Sequence, residues 1–217
     1  MPRRRIFIFA DGDCRDLDFY RQLIGPGDLI ISADGGSRHV LAMGLHPFAV
    51  VGDNDSIDPL LREELARFSL KWIRDPGRDQ EQSDLEMALE YALSLDPSEL
   101  LLCGALGGAR IDHTLSNLHL LIFPLRAGVP ARIIDETQTV RLMESKLSIA
   151  GVPGDYLSLH SLTPETTGIH TEGLKYPLHG ETLHFGSTRG LSNELLSANA
   201  AITMVAGLLL VVHTSRF

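Results

Sequence analysis

The sequence predicts an α/β protein, with a mostly parallel open sheet that has helices on both faces, followed by a smaller antiparallel β-sandwich domain. Up to about residue 137, short apolar runs alternate with segments of helical spacing, which is typical of a parallel sheet covered on both sides. Beyond that point Gly, Pro, Thr and Ser become frequent, and strand-like runs follow one another without a convincing helix. We therefore expect one domain over residues 1–137 and a second over residues 138–217.

Six apolar runs are the predicted strands of the first domain: residues 6–10, 29–33, 48–51, 71–74, 100–103 and 131–134. Helices are expected between them: within residues 15–24, after the lead-in of residues 34–37 and ending near Gly44, over residues 59–68, across the helically spaced leucines and alanines of residues 85–93, and from about Asp112 onward. Ser83 and Glu86 have the spacing of a capping box in front of the fourth helix.

In the second domain, residues 139–143, 156–162 and 182–185 are predicted strands. Residues 201–212 supply the last one or two strands, with a bend at Gly207. Residues 194–198 have room for one helical turn.

The composition excludes several classes of function. Of 217 residues, 44% are hydrophobic and 22% charged, which is ordinary for a soluble globular protein. The net charge of −9 argues against a nucleic-acid partner, because such binding needs Lys and Arg to neutralise phosphates. Cys14 and Cys103 lack metal-ligand spacing and fit a reducing cytosol. The apolar runs at both ends are too short for a signal peptide or a bilayer span, so we expect a cytoplasmic protein without a membrane partner.

Two carboxylates follow the third predicted strand. Asp53 and Asp55 are two residues apart, so in an extended segment both side chains point the same way. Like charges held that close repel unless a cation lies between them or one carboxylate takes up a proton, and Mg²⁺ prefers oxygen ligands. The alternative is an ordinary turn, since Gly, Asp, Asn and Ser all form turns.

Polar residues also follow the neighbouring strands. Asp34 comes after the second strand, Asp84 ends the loop after the fourth, and residues 104–113 follow the fifth. Ligands of open α/β sheets bind at the carboxyl ends of the strands, which favours a binding site here. Each residue also has a structural alternative: a turn for Asp34, a first-turn helix acid for Asp84 and an N-cap for Asp112.

The glycine-rich loop of residues 104–110 suits an anion. Gly107 and Gly108 allow the backbone to approach a phosphate closely, and Arg110 offers a planar fork to phosphate oxygens. Neither the Walker motif nor the strict dinucleotide fingerprint is present. Together with the carboxylates, the loop predicts a Mg²⁺-nucleotide site for transfer from, or hydrolysis of, a nucleoside triphosphate.

Six segments carry a resemblance to a known family: residues 33–36 (ADGG), 52–56 (GDNDS), 79–84 (DQEQSD), 107–117 (GGARIDHTLSN), 171–178 (TEGLKYPL) and 186–193 (GSTRGLSN). In this order, over nearly the whole chain, they resemble thiamine pyrophosphokinase. Two features depart from the family pattern. Asn54 stands where an apolar or aromatic residue is usual, and the acidic loop is longer, with Arg78 and Ser83 in place of Lys and Thr.

The resemblance implies an enzyme that transfers a diphosphoryl group from ATP to the hydroxyethyl group of thiamine, giving thiamine diphosphate and AMP. It also implies a homodimer, with an ATP-binding catalytic domain, a β-sandwich for thiamine binding and dimerisation, and thiamine bound between subunits.

For that reaction we expect Mg²⁺ as the cofactor, with Asp53, Asp55 and Asp84 as its ligands. Asp34 is expected as a further ligand or as an acid that orients the substrate. The remaining expectations concern the substrates. Asp79 and Gln80 hold the nucleotide or metal-bound water, and Gly107, Gly108 and Arg110 stabilise phosphate charge. Asp112 orients Arg110 or caps its helix, and His113 either contacts phosphate or serves in a supporting or capping role. Ser192 and Asn193 contact thiamine.

Two other functions use the same features. One is a related diphosphokinase for another heterocyclic alcohol, such as a hydroxymethylpterin, which the thiamine-type segment 186–193 argues against. The other is a non-catalytic nucleotide-binding module, which would have little use for clustered carboxylates beside a triphosphate.

Overall fold

A computed structural model of the chain describes residues 3–53, 55–74 and 81–216. The chain forms two compact units, residues 1–136 and residues 137–217. None of the helices in the described ranges has the length and apolar character that a membrane span requires.

In the part of the first unit that the structure describes, six strands form a parallel sheet: β1 (Arg5–Phe9), β2 (Leu29–Ala33), β3 (Ala49–Val51), β4 (Lys71–Ile73), β5 (Glu99–Cys103) and β6 (Ala131–Ile134). Their spatial order is β6-β5-β1-β2-β3-β4. The chain therefore runs outward from β1 to one edge, then crosses to β5 on the other side of β1. The carboxyl ends of β1 and β5 lie at this switch point, where open α/β sheets form a ligand crevice.

Within the described ranges, six helices and one short turn connect these strands. They are α1 (Leu17–Leu23), the 3₁₀ turn Asp34–Gly36, α2 (Ser37–Ala42), α3 (Pro59–Leu65), α4 (Asp84–Ser94), α5 (Ile111–Leu120) and α6 (Ile122–Arg126). The helix expected from about Asp112 onward thus appears as two helices. Pro124 explains the break, because it has no N–H to donate to the preceding turn.

Helix starts in this unit follow ordinary capping chemistry. Asp16, Asp58 and Ser83 each accept a hydrogen bond from a first-turn N–H of α1, α3 and α4 respectively. The central strands of the sheet are buried on both faces, so Phe7, Phe9 and the strand residues around them are solvent-inaccessible, whereas Lys71 and Trp72 of the edge strand β4 are exposed. Burial on both faces is why the central strands are continuous apolar runs in the sequence.

The second unit is antiparallel. Its strands are β7 (Gln138–Met143), β8 (Lys146–Ala150), β9 (Tyr156–Ser161), β10 (Glu165–Glu172), β11 (His179–His184), β12 (Asn193–Glu194), β13 (Asn199–Thr203) and β14 (Leu209–Thr214). They lie in the orders β12-β9-β14-β7 and β11-β10-β13-β8. Both sets of strands contribute to one core, which includes Leu157 and Val211 from the first set and Ile149 and Ile202 from the second.

The helical turn expected within residues 194–198 is wrong. The N–H of Leu195 donates to the carbonyl of Asp155 and that of Leu196 to the carbonyl of Gly173, so this backbone is bonded to other segments. The predicted bend at Gly207 lies between β13 and β14, with a positive φ of 109°. A Cβ there would lie 2.8 Å from the carbonyl oxygen of Glu165, so only glycine fits without a shift.

Candidate active site

The candidate site is a cavity of about 270 Å³ in the first unit, at the carboxyl ends of β1, β2 and β5. Its lining combines short polar loops with the starts of two helices. These residues include Asp11, Gly12, Asp34, Gly35, Ser56, Ser83, Asp84, Gly104, Gly107, Gly108, Arg110, His113 and Asn117. Most of the predicted nucleotide and metal residues therefore face one cavity.

Asp34 has the most constrained backbone of the site. It follows β2 with a positive φ of 43°, which is uncommon for a residue other than glycine. Its carboxylate is 2% exposed; Oδ2 accepts a hydrogen bond of 2.9 Å from the N–H of Ser56. Among the described residues, Oδ1 has no hydrogen-bond partner although it is buried. Burial raises the pKa of Asp34, and the nearby charges of Asp55 and Asp53 raise it further.

Three carboxylates converge next to this cavity. Asp34, Asp53 and Asp55 each offer an oxygen, and these oxygens lie within 4.8 Å of one another. The N–H of Asp55 donates to Asp53 Oδ1 over 3.0 Å, which holds the second carboxylate close to the first. An ordinary turn would account for the bond between Asp55 and Asp53. It would not explain why Oδ1 of Asp34 is buried without a hydrogen-bond partner in the described residues. An oxygen-rich group of this kind fits a hard divalent cation such as Mg²⁺.

Asp84 lies beside these three carboxylates, at the first position of α4. A Cβ placed on Gly52 would lie 2.5 Å from Asp84 Oδ1 and 3.1 Å from Asp34 Cβ, so the glycine brings the two acids together. Burial, with the charges of Asp34 and Asp53, raises the pKa of Asp84 to about 6. In the described ranges, the carboxylate oxygens that lie within 4.8 Å of one another are those of Asp34, Asp53 and Asp55, and the role of Asp84 as a magnesium ligand stays a prediction. Asp79 and Gln80, as well as Asn54, lie outside the described residues.

The glycine loop adopts conformations that other residues rarely take. Gly107 and Gly108 have φ values of 73° and 79°, and both are exposed at the cavity. Asn117 Nδ2 donates to the carbonyl of Ala105 over 2.9 Å, and the Thr114 hydroxyl donates to the carbonyl of Gly107 over 3.3 Å. Two side chains of helix α5 therefore hold the glycine loop by hydrogen bonds to its carbonyls. The sequence position of Asn117 did not reveal this role in fixing the loop.

Arg110 stands at the N-cap position of α5 and is oriented by Asp112. Its Nε donates to Asp112 Oδ1 over 2.9 Å and its Nη2 to Oδ2 over 2.6 Å. The hydrogen bonds from Arg110 hold the pKa of Asp112 down to about 2. Because α5 begins at Ile111 without a side-chain cap, the capping alternative for Asp112 is wrong. His113 lies one residue further along, exposed at the cavity wall.

Sequence reasoning missed the loop after β1. The carboxylate of Asp11 lines the cavity and pairs with Arg38 Nη2 at 2.6 Å. The N–H of Gly12 donates to the carbonyl of Gly104 over 2.9 Å, and a Cβ on Gly12 would lie only 2.4 Å from that oxygen. This loop thus joins the glycine loop to α2. The signal was present, because polar residues follow β1 as they follow β2 and β3.

The predicted thiamine residues lie in the second unit. Ser192 is exposed, has a positive φ of 59°, and its N–H donates to the Ser158 hydroxyl over 3.0 Å. Asn193 uses its amide on the backbone of Tyr176: Nδ2 donates to the carbonyl over 2.7 Å, and Oδ1 accepts from the N–H over 3.1 Å. Asn193 therefore holds the turn that presents Ser192, and it lines a cavity of about 260 Å³ with Tyr176 and Leu191.

A parallel sheet with carboxylates after β2 and β3 and a glycine-arginine loop after β5 is typical of enzymes that transfer phosphoryl groups. Comparison with known families makes this specific. The family description "Thiamin pyrophosphokinase, catalytic domain" matches residues 20–133, and "Thiamin pyrophosphokinase, vitamin B1 binding domain" matches residues 141–209. The chain belongs to the thiamin pyrophosphokinase family, whose name denotes diphosphoryl transfer from ATP to thiamine.

Individual relatives agree with this family. The chain is 28% identical to thiamine pyrophosphokinase of Bacillus subtilis over 197 residues, which is 86% of this chain and 87% of the relative. The crystal structure of thiamine pyrophosphokinase from the same organism superposes with a TM-score of 0.88, covering 99% of this chain and all of the other. The thiamin pyrophosphokinase structure from Geobacillus thermodenitrificans gives a TM-score of 0.85 at 26% identity, covering 98% of both chains. The predicted fold class is confirmed.

Proposed function

We propose that this chain is a thiamine diphosphokinase that uses Mg²⁺-ATP and converts thiamine to thiamine diphosphate, with AMP as the second product. The observation that carries the proposal is the group of Asp34, Asp53 and Asp55, with its buried unpartnered oxygen, in the same unit as the glycine-arginine loop. The sequence matches to both family domains supply the substrates.

The residues present fit a magnesium ion. Asp53 and Asp55, together with Asp34, would hold it, and Asp84 would complete the acidic wall as a further ligand or through a bound water. When bound, the ion neutralises charge on the triphosphate. The rest of the chemistry is positioning, because phosphoryl transfer needs aligned groups more than covalent help from the protein.

On the nucleotide side, the exposed backbone of Gly107 and Gly108 would approach the phosphates, and Arg110 would bind the charge that develops during transfer. Asp112 already occupies Nε and one Nη2 proton of Arg110, which leaves both Nη1 protons and the second Nη2 proton for phosphate oxygens. Asp112 thereby fixes the direction in which the guanidinium presents its free edge. Asp79 and Gln80 are still expected to hold nucleotide or metal-bound water, and His113 to stand near the phosphates.

The direct test is an end-product assay. The protein is incubated with ATP, Mg²⁺ and thiamine, and the products are separated by chromatography. We expect AMP and thiamine diphosphate in equal amounts. ADP with thiamine monophosphate would contradict the proposal, and so would hydrolysis of ATP without a thiamine product.

A pair of variants links that activity to the carboxylates. Asp55→Asn should abolish turnover while the fold remains intact. Asp58→Asn is the matched control, because it removes the same charge three residues away and asparagine still caps α3. Equal activity of Asp55→Asn and wild type at saturating Mg²⁺ would refute the metal assignment.

We further propose a cytoplasmic homodimer. In it, Ser192 and the turn held by Asn193 contact the thiamine that reacts at the carboxylates of the partner subunit. Tyr176 and Leu191 beside this turn are 61% and 53% exposed, an apolar surface suited to a ligand or a second chain. Each site would then combine Asp53 of one chain with Ser192 of the partner subunit.

Complementation tests this arrangement. Asp53→Asn and Ser192→Arg should each be inactive as a homodimer. After co-expression about half of the dimers are mixed, and one of the two sites in each mixed dimer carries neither lesion, so about a quarter of wild-type activity should return. An inactive mixture, with mixed dimers verified by two affinity tags, would refute the shared site.

A further inference from the structure

Ser56 touches two of the three converging carboxylates. Its backbone N–H donates to Asp34 Oδ2 over 2.9 Å, and its hydroxyl donates to Asp55 Oδ1 over 3.0 Å. The two acids come from different loops, one after β2 and one after β3. Ser56 also lines the cavity of the site. One residue therefore connects both loops through two separate donors.

These bonds differ from those of an ordinary turn. Turn-forming serines use their hydroxyl on nearby backbone groups, whereas this hydroxyl donates to the side chain of the preceding residue. Ser56 is exposed, so burial of the hydroxyl does not require the bond either. The contact instead acts on the direction in which the Asp55 carboxylate points.

Orientation matters here because the terminal torsion of aspartate is soft and like charges repel. Without donors, the carboxylates of Asp34 and Asp55 would rotate apart. A neutral hydroxyl and an N–H hold them in place without cancelling their charge, because charge-assisted hydrogen bonds are strong and directional.

We propose that Ser56 is a positioning residue that preorganises Asp34 and Asp55 for a divalent cation, with its hydroxyl fixing Asp55 and its N–H fixing Asp34. This inference rests on the proposed function, since it assumes that the carboxylates hold the metal of the reaction. Ser56 acts through the two acids and needs no contact with the reacting atoms.

The test measures cation binding without nucleotide or thiamine. Mn²⁺ is titrated into wild type, Ser56→Ala, Ser56→Thr and the control Ser94→Ala, and free Mn²⁺ is followed by electron paramagnetic resonance. Ser94 is a suitable control because its hydroxyl donates to the carbonyl of Tyr91 at the far end of α4. Loss of a group that orients a metal ligand typically weakens affinity about tenfold or more, so we expect that change for Ser56→Ala. Threonine keeps the hydroxyl and should stay within about twofold of wild type, as should Ser94→Ala.

Activity gives a second readout. In Ser56→Ala the Mg²⁺ concentration for half-maximal activity should rise about tenfold, while kcat at saturating Mg²⁺ recovers most of its wild-type value. An unchanged Mn²⁺ affinity in folded Ser56→Ala would overturn the inference. Equal losses in the Ala and Thr variants would also overturn it, because they would point to local shape rather than to the hydroxyl.

The outcomes separate this inference from the proposed function. If wild type binds Mn²⁺ and forms thiamine diphosphate while Ser56→Ala binds Mn²⁺ equally well, only the role of Ser56 fails. If wild type binds no Mn²⁺, the metal assignment and the role of Ser56 fail together. If wild type binds Mn²⁺ and Ser56→Ala weakens it, but no thiamine product forms, the role of Ser56 stands and the substrate assignment fails.

Discussion

Replacing Gly52 by alanine should destabilise the first unit and weaken cation binding, because a methyl group has no room at this position. Gly52 has a φ of 137°, a backbone conformation that side chains strain. Its Cβ would lie 2.5 Å from Asp84 Oδ1, where 3.4 Å marks the start of ordinary contact. The Asp84 carboxylate would have to move by roughly 1 Å, and its backbone is held in the first turn of α4.

The expected loss has two parts. Backbone strain of this kind costs about 1–3 kcal/mol in the free energy of unfolding. Forcing the Asp84 side chain away from its preferred rotamer adds roughly 0.5–1.5 kcal/mol. A total of about 1.5–4.5 kcal/mol should appear in urea unfolding, followed by circular dichroism. Displaced acids should also lower the Mn²⁺ affinity by at least about tenfold.

Gly27→Ala provides the matched control. Gly27 belongs to the same unit and has a φ of 93°, but a Cβ there meets nothing within 4 Å. This variant should lose only the backbone part, about 1–3 kcal/mol, and should bind Mn²⁺ like wild type. If Gly52→Ala is no less stable than Gly27→Ala and keeps its Mn²⁺ affinity, the crowded arrangement of Gly52 and Asp84 is refuted. A double variant, Gly52→Ala with Asp84→Ala, should lose less stability than the two single losses together, because the clash is removed.

Three further variants test separate parts of the site. In EDTA, Asp84→Asn should be more stable than wild type above about pH 6, where the buried carboxylate of wild type is charged. This difference in the free energy of unfolding should shrink as the pH falls through 6 and vanish near 3.8, the ordinary pKa of an aspartate. A constant difference in urea unfolding from pH 4 to 7.5 would contradict the raised pKa of Asp84. Arg110→Lys keeps the charge but loses the planar fork, so kcat/KM should fall by about tenfold or more while the Mn²⁺ affinity stays unchanged. If the variant has wild-type kinetics, Arg110 has no catalytic role and only begins helix α5. Asn117→Ala removes the hydrogen bond to the Ala105 carbonyl and should loosen the glycine loop, so the KM for ATP should rise by about threefold or more. An unchanged KM in steady-state assays would show that this hydrogen bond does not shape the nucleotide site.

The sequence was most informative about the sheet of the first unit. Its central strands are buried on both faces, so they are continuous apolar runs with clear positions, whereas the edge strand β4 is short and has Lys71 and Trp72 exposed. Because the strands are parallel, the residues that follow them meet at one edge, and Asp53, Asp55 and Arg110 were predicted on that basis. The second unit was harder. Strands β8 and β10, in residues 146–150 and 165–172, carry many exposed polar positions, and their hydrophobic alternation is weak.

Other features depended on geometry that residue order does not contain. The positive φ of Asp34 turns its carboxylate toward Asp53 and Asp55, and this conformation is stabilised by tertiary contacts rather than by local preference. The pairing of Asp11 with Arg38 joins residues that are 27 positions apart. The thiamine contact expected of Asn193 stays a prediction, and the bonds of its amide to the backbone of Tyr176 join residues that are distant in the sequence.

The central claim is transfer of a diphosphoryl group, with attack of the thiamine hydroxyl at the β-phosphorus of ATP. ATP labelled with ³²P at the β position distinguishes this from all simpler phosphoryl transfers. The protein is incubated with labelled ATP, Mg²⁺ and thiamine, and the labelled products are separated by thin-layer chromatography. The label should appear in thiamine diphosphate and be absent from AMP. Label that remains in ADP, beside unlabelled thiamine monophosphate, would contradict the account.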